Sequence, residues 1–144
     1  MKIDIGSGGG RRPAQGFDMY CDINMPKDPP TPFVQTPAED LSMFGDKEFD
    51  YARCHHVIEH VNDPDRACSE IIRIAKAGRL SFPPMQAEIM FGRSDHNFFV
   101  CIDHGRLLFI KKRHASYGIP RIQTGCGLNV DFDWVDGFDW TVVL

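Results

Sequence analysis

One short stretch constrains this chain more than any other. Ile3-Asp4-Ile5 has a strand pattern and runs without a spacer into Gly6-Ser7-Gly8-Gly9-Gly10. Glycines let a backbone approach a ligand with no Cβ in the way, and a run of them offers several N–H donors. In an open parallel sheet, ligands bind beyond the carboxyl ends of the strands, at the switch point beside the first one. A second strand is predicted over residues 19–23, with Asp22 at its end. An acid there is placed to accept hydrogen bonds from both ribose hydroxyls of an adenosine.

The dinucleotide fingerprint needs a third glycine where this chain has Arg11, and a helix N-terminus to hold a pyrophosphate is missing, which disfavours a nicotinamide or flavin dinucleotide. A P-loop is excluded, because no Gly-Lys-Ser/Thr follows.

Further strands are predicted over residues 33–35, 49–54 and 80–82, and a helix over 64–76. The helix is well signposted. Asp63 is placed as N-cap and Pro64 at the first position. Ala67, Cys68, Ile71, Ile72 and Ala75 form one apolar stripe, and Gly78 is read as its stop. Downstream of residue 84 the pattern reads as two hairpins. Residues 98–102 and 107–111 flank Asp103-His104-Gly105, and residues 132–135 and 138–142 flank Asp136-Gly137. The expected architecture is a single α/β domain over residues 1–144, a mostly parallel sheet with few helices and antiparallel C-terminal strands. Residues 1–84 are expected to form its ligand-binding core, and residues 85–144 a β-hairpin region.

A length of 144 residues suits one domain. No apolar run approaches the ~20 residues that cross a bilayer, so no membrane partner is expected. The five cysteines are odd in number and form no CxxC pair, which argues against a disulfide framework or structural zinc and fits a reducing compartment. With a start at Met1 that leaves no room for a signal peptide, a cytoplasmic location is expected. The net charge of −4 gives no support to a general nucleic-acid binder.

These segments resemble class I S-adenosylmethionine (SAM)-dependent methyltransferases, in particular small type 11-like members with reduced first helices. Residues 3–10 look like motif I, and Phe17-Asp18-Met19-Tyr20-Cys21-Asp22-Ile23 resembles the segment ending in the ribose-binding acid. Ala38-Glu39-Asp40-Leu41, Phe49-Asp50-Tyr51-Ala52 and Val57-Ile58-Glu59-His60-Val61-Asn62-Asp63-Pro64 look like the later motifs, in order. Residues 70–78 and 81–84 are similar to the helix and strand beyond. The resemblance implies a reduced Rossmann-like fold, SAM as cofactor and S-adenosylhomocysteine as product.

It also implies roles. Gly6, Ser7 and Gly8 would lie along the methionine moiety, and Asp4 would hold the glycine turn. Asp22 would take the ribose hydroxyls and Ile23 would pack on adenine. The backbone of Ala38, Glu39 and Asp40 would bond the adenine edge, and Cys54 and His55 would border the sulfonium. Two departures stand out. Pro37 occupies a position often acidic in the family, and Arg79 follows Gly78 where a second glycine is common.

His55 and His96 are the candidate general bases, since histidine titrates near neutral pH. Glu59 and His60 are read mainly as bracing the turn into the helix. No metal site is expected, because the segment is not His-Glu-x-x-His and no third ligand has diagnostic spacing. Asp95 and His96 lie where an acceptor would bind, or form a solvated loop. Arg106, Lys111, Lys112, Arg113, His114 and Arg121 form a local basic cluster. Its commoner role is edge protection, but it keeps a nucleic-acid acceptor open. The aromatic residues of 132–140 alternate with aspartates, as in a half-buried hairpin.

The expected function is methyl transfer to an oxygen or nitrogen of a small-molecule acceptor. The alternative is a catalytically inactive SAM- or nucleotide-binding module acting through a partner. Exposed hairpins and missing helices leave room for a homodimer.

Overall fold

The computed structural model describes residues 1–8, 14–113 and 129–144. Gly9, Gly10, Arg11, His114, Arg121 and Cys126 lie outside the described residues.

The described elements are β1 (Lys2–Ile5), β2 (Met19–Asp22), β3 (Phe33–Gln35), β4 (Tyr51–His55), α1 (Pro64–Ile74), β5 (Ala77–Phe82), α2 (Met85–Phe91), β6 (Phe98–Asp103), β7 (Arg106–Lys111), β8 (Val130–Val135) and β9 (Trp140–Val143). The main sheet has the order β3-β2-β1-β4-β5-β8. Its first five strands run parallel, and β8 closes the edge antiparallel to β5. The strand order reverses between β1 and β4, which is where an open α/β sheet binds its ligands. This is the reduced Rossmann-like α/β fold expected from the sequence.

Alternation along the strands decides the core. Ile3 and Ile5 of β1, Ala52 and Cys54 of β4, and Leu80 and Phe82 of β5 are all at most 2% exposed. The register pairs Ile3 with Ala52 and Ile5 with Cys54, so one sheet face is continuous apolar surface. In α1, Ala67, Cys68, Ile71 and Ile74 join the same buried cluster. The Asp63 carboxylate caps α1 by accepting from the Arg66 N–H at 3.1 Å.

Four expectations are corrected. Gly78 does not stop α1, which ends at Ile74; it lies inside β5. A Cβ there would sit 2.3 Å from the Ala52 carbonyl and 2.9 Å from Cζ2 of Trp134, so the glycine admits the indole against the sheet. Phe49 forms only an isolated bridge to Ala75, and the fourth strand begins at Tyr51.

Residues 85–144 are not all hairpin, because α2 follows Pro84 directly. Nor do residues 132–142 fold back on themselves. β8 pairs with β5, whereas β9 pairs in parallel with β7, completing a second sheet of order β6-β7-β9. The aspartates of β8 explain this choice. Asp131 and Asp133 meet Arg79 across the strand pair, Asp131 also accepts from Ser81 Oγ at 2.6 Å, and Trp134 turns inward. Phe138 then packs against Phe132, Trp134 and Trp140 as the chain crosses to the second sheet.

The β6–β7 hairpin forms as expected, with His104 and Gly105 both at positive φ. Phe98, Val100, Leu107 and Phe109 belong to the same core as Ile3 and Leu80, so β6 and β7 share the core of residues 1–84.

Candidate functional site

The carboxyl ends of β1, β2 and β4 converge on the switch point. Gly6 ends the first strand with φ +88°, and a Cβ on it would lie 2.1 Å from Cγ2 of Val57. The turn after β1 therefore lies directly against the turn after β4, which only glycine permits. His56 also adopts a positive φ of 53°, bending the chain sharply out of β4.

The loop after β1 is tied to β2. The Gly6 and Ser7 N–H groups both donate to the Cys21 carbonyl, at 2.8 and 3.2 Å. The Gly8 N–H donates to Oδ2 of Asp22 at 2.8 Å, and Oδ1 accepts from the Asn24 N–H at 2.7 Å. Free amides were expected along Gly6-Ser7-Gly8; all three are already bonded within the protein. Gly8 leaves no room for a Cβ, which would meet the Asn24 carbonyl at 2.5 Å. The loop after β3 hangs from the same strand end, through the Thr36 N–H to the Asp22 carbonyl at 2.8 Å.

Asp22 is 8% exposed, and each of its oxygens accepts one backbone N–H, so each keeps a second lone pair. Ile23, directly after it, is 62% exposed. An acid with spare acceptor capacity beside a bare apolar side chain suits the ribose and adenine of an adenosine. Thus the residues present fit the nucleoside part of SAM.

The other predicted residues divide. Ala38 is buried; the Glu39 carboxylate accepts from the Asn62 N–H at 2.8 Å, tying the loop after β3 to the loop before α1. Asp40 turns its carboxylate to Ser42, whose N–H and hydroxyl hold its pKa below the usual value.

Asp4 is 1% exposed and lies beside Arg53, whose Nη1 donates to Oδ1 at 2.9 Å. Burial raises the Asp4 pKa, and the guanidinium offsets part of that rise. The Cys54 side chain is fully buried in the core, and its thiol is pushed well up by burial. What Cys54 offers a ligand is therefore main chain. His55 is half-buried at the end of β4, its ring 4.5 Å from that of His56.

His96 is not placed with His55. It is buried, with Nδ1 2.7 Å from Oε2 of Glu88, and its ring meets that of His60 edge-on. No third ligand has diagnostic spacing in the sequence, yet in space ligand atoms of Glu59, His60 and His96 all lie within 4.8 Å of one another. Sequence spacing could not show this, because His96 arrives from the far side of α2. Asp95 is held by Arg93, which lowers its pKa. Two members of the basic cluster are engaged within the described residues. Lys112 is buried on Glu88 at 2.8 Å, and Lys111 lies over the Phe98 ring.

A model of a family described as a methyltransferase domain matches residues 3–82, more than half of the chain. The chain belongs to this methyltransferase family. The match runs from β1 through β5 and so covers every strand of the switch point. No curated protein matches the chain. A crystal structure of a SAM-dependent methyltransferase from Methanosarcina mazei is similar at 20% identity, over 72% of this chain and 66% of that one, with a TM-score of 0.46. No helix among the described residues is long and apolar enough to cross a membrane.

Proposed function

We propose that this methyltransferase domain binds SAM across the ends of β1, β2 and β4 and passes its methyl group to an oxygen or nitrogen of a small-molecule acceptor. The observation that carries this reading is Asp22 at the end of β2, facing the switch point beside exposed Ile23. SAM supplies a methyl group already activated on a sulfonium. The chain's task is then alignment, which provides much of the rate in such transfers. Asp22 holds the ribose, Ile23 covers adenine, and the glycines at 6 and 8 keep the two turns close. His55, at the end of β4, is the candidate to take the acceptor's proton.

A second reading, a SAM-binding module without turnover, is favoured by one observation. The amides of Gly6, Ser7 and Gly8 are all satisfied internally, leaving fewer donors for the methionine end.

Calorimetric titration with SAM and with S-adenosylhomocysteine tests both. Micromolar binding, weakened at least tenfold (~1.4 kcal/mol) in Asp22→Ala and less in Asp22→Asn, supports the site. No heat in folded protein refutes it. Binding without S-adenosylhomocysteine formation over a panel of oxygen and nitrogen nucleophiles supports the inactive module.

A further inference from the structure

The loop between β4 and α1 meets the segment between α2 and β6 at a second polar junction. The Asn97 and Phe98 N–H groups donate to the Glu59 carbonyl at 2.7 and 3.2 Å, and Nδ2 of Asn97 donates to the His60 carbonyl at 2.7 Å. Glu59, His60 and His96 gather there, with one ligand atom from each inside a 4.8 Å span.

Each of these side chains has one polar atom engaged. Oε1 of Glu59 lies 3.1 Å from Nδ1 of His56. Nδ1 of His60 lies 3.1 Å from the Asp95 carbonyl oxygen and 3.6 Å from its carboxylate. Nδ1 of His96 lies 2.7 Å from Oε2 of Glu88, whose Oε1 accepts from Lys112. With a proton on Nδ1 facing each acceptor, both rings carry the lone pair on Nε2. Oε2 of Glu59 has no partner among the described residues, although Glu59 is 1% exposed. Leaving such an oxygen alone is costly, because its desolvation is not repaid. Bracing of the loop accounts for the Glu59 main chain and Oε1, but not for Oε2.

We propose that Glu59, His60 and His96 bind a divalent transition-metal ion of the zinc class. Two imidazoles and one carboxylate are a three-ligand set that such an ion accepts, leaving a fourth position open. The remote ring nitrogens are held by a carboxylate and by a carbonyl with a carboxylate beside it, the arrangement that fixes tautomer and ring direction in metal sites. With metal–ligand distances of ~2.0–2.1 Å, tetrahedral ligand atoms stand ~3.4 Å apart, so binding draws the three groups inward. The ion clamps the lead-in of β6 to the loop after β4, and half-buried His60 provides the way in. This inference does not rest on the proposed cofactor site.

The test uses the full chain after chelator treatment, titrated with zinc by calorimetry and with cobalt(II) by visible absorption. The expected result is one ion per chain, with a cobalt d–d band and no thiolate charge-transfer band. Glu59→Gln and His60→Gln should each lose at least about a hundredfold in affinity. Glu88→Gln, which acts only through His96, should lose about tenfold. His60 is 34% exposed at its side chain, so its variant should fold; circular dichroism checks both ligand variants. Zinc should also raise the melting temperature of wild type and leave the two ligand variants unmoved. Failure to take up one ion, a charge-transfer band showing cysteine ligation, or unchanged affinity in the folded variants would each overturn the proposal.

Discussion

Replacing Arg53 by methionine keeps most of the side-chain stem but removes the only charged group bonded to Asp4 among the described residues. Asp4 is 1% exposed and its second oxygen is already unpartnered, so its ionised form would be stranded. Breaking a buried ion pair costs about 3–5 kcal/mol, whereas exposed pairs contribute about 0–1 kcal/mol. The Arg53 side chain is 30% exposed. Solvent screening on that side places the loss near the lower bound, about 3 kcal/mol at pH 7.

The pH dependence distinguishes this mechanism from lost packing. The Asp4 pKa in the folded protein lies above its ordinary value. Between the unfolded and folded values the native state binds more protons, so stability falls as pH rises through that window. Without Arg53 the folded value moves further up, and the falling window extends toward neutral pH. Acidification from pH 7 to pH 5 should therefore return about 1–2 kcal/mol to Arg53→Met relative to wild type, at no more than ~1.36 kcal/mol per pH unit. Urea unfolding of both proteins at both pH values measures it, and thermal melts at pH 7 should differ by about 10 °C. Asp4→Asn in the Arg53→Met background should recover stability at pH 7. An equal penalty at both pH values, with no recovery in the double variant, would refute the stranded carboxylate.

Two further outcomes follow from packing. Gly78→Ala should cost about 2–3 kcal/mol by overpacking, because the added carbon meets a main-chain carbonyl; urea midpoints and a red-shifted Trp134 emission report it. Under native conditions an alkylating agent should label half-exposed Cys101 and spare Cys21, Cys54 and Cys68, all buried, with the Cys21 and Cys68 thiols pushed up to about 12. Peptide mapping by mass spectrometry reads this, and early labelling of Cys54 would contradict its place in the core.

Much of the first half was legible because its signals are local. Asp63-Pro64 marks a helix start in any context, and the stripe from Ala67 to Ile71 has one period. The glycine turn after Ile5 and the acid of Asp22 stand at strand ends that short apolar runs announce. Gly78 was misread for a physical reason: a glycine after a helix and a glycine under an indole look alike in sequence. Only the position of Trp134, which comes from β8, separates the two.

The second half was less legible. Asp136-Gly137 carries a hairpin signal, yet the partners of β8 and β9 are chosen by Arg79 and by the free edge of β7, both distant along the chain. α2 is too short for its periodicity to stand out beside two prolines.

The sequence by itself determined where β1 and β2 lie along the chain, the start and apolar face of α1, and the acid that ends β2. These depend on near neighbours and on alternation, which a linear chain records directly. Tertiary structure alone decided that the loop amides turn inward, that Cys54 faces the core, and that His96 joins Glu59 and His60. Each of those depends on residues tens of positions apart being packed together, and burial then selects which polar atoms stay paired.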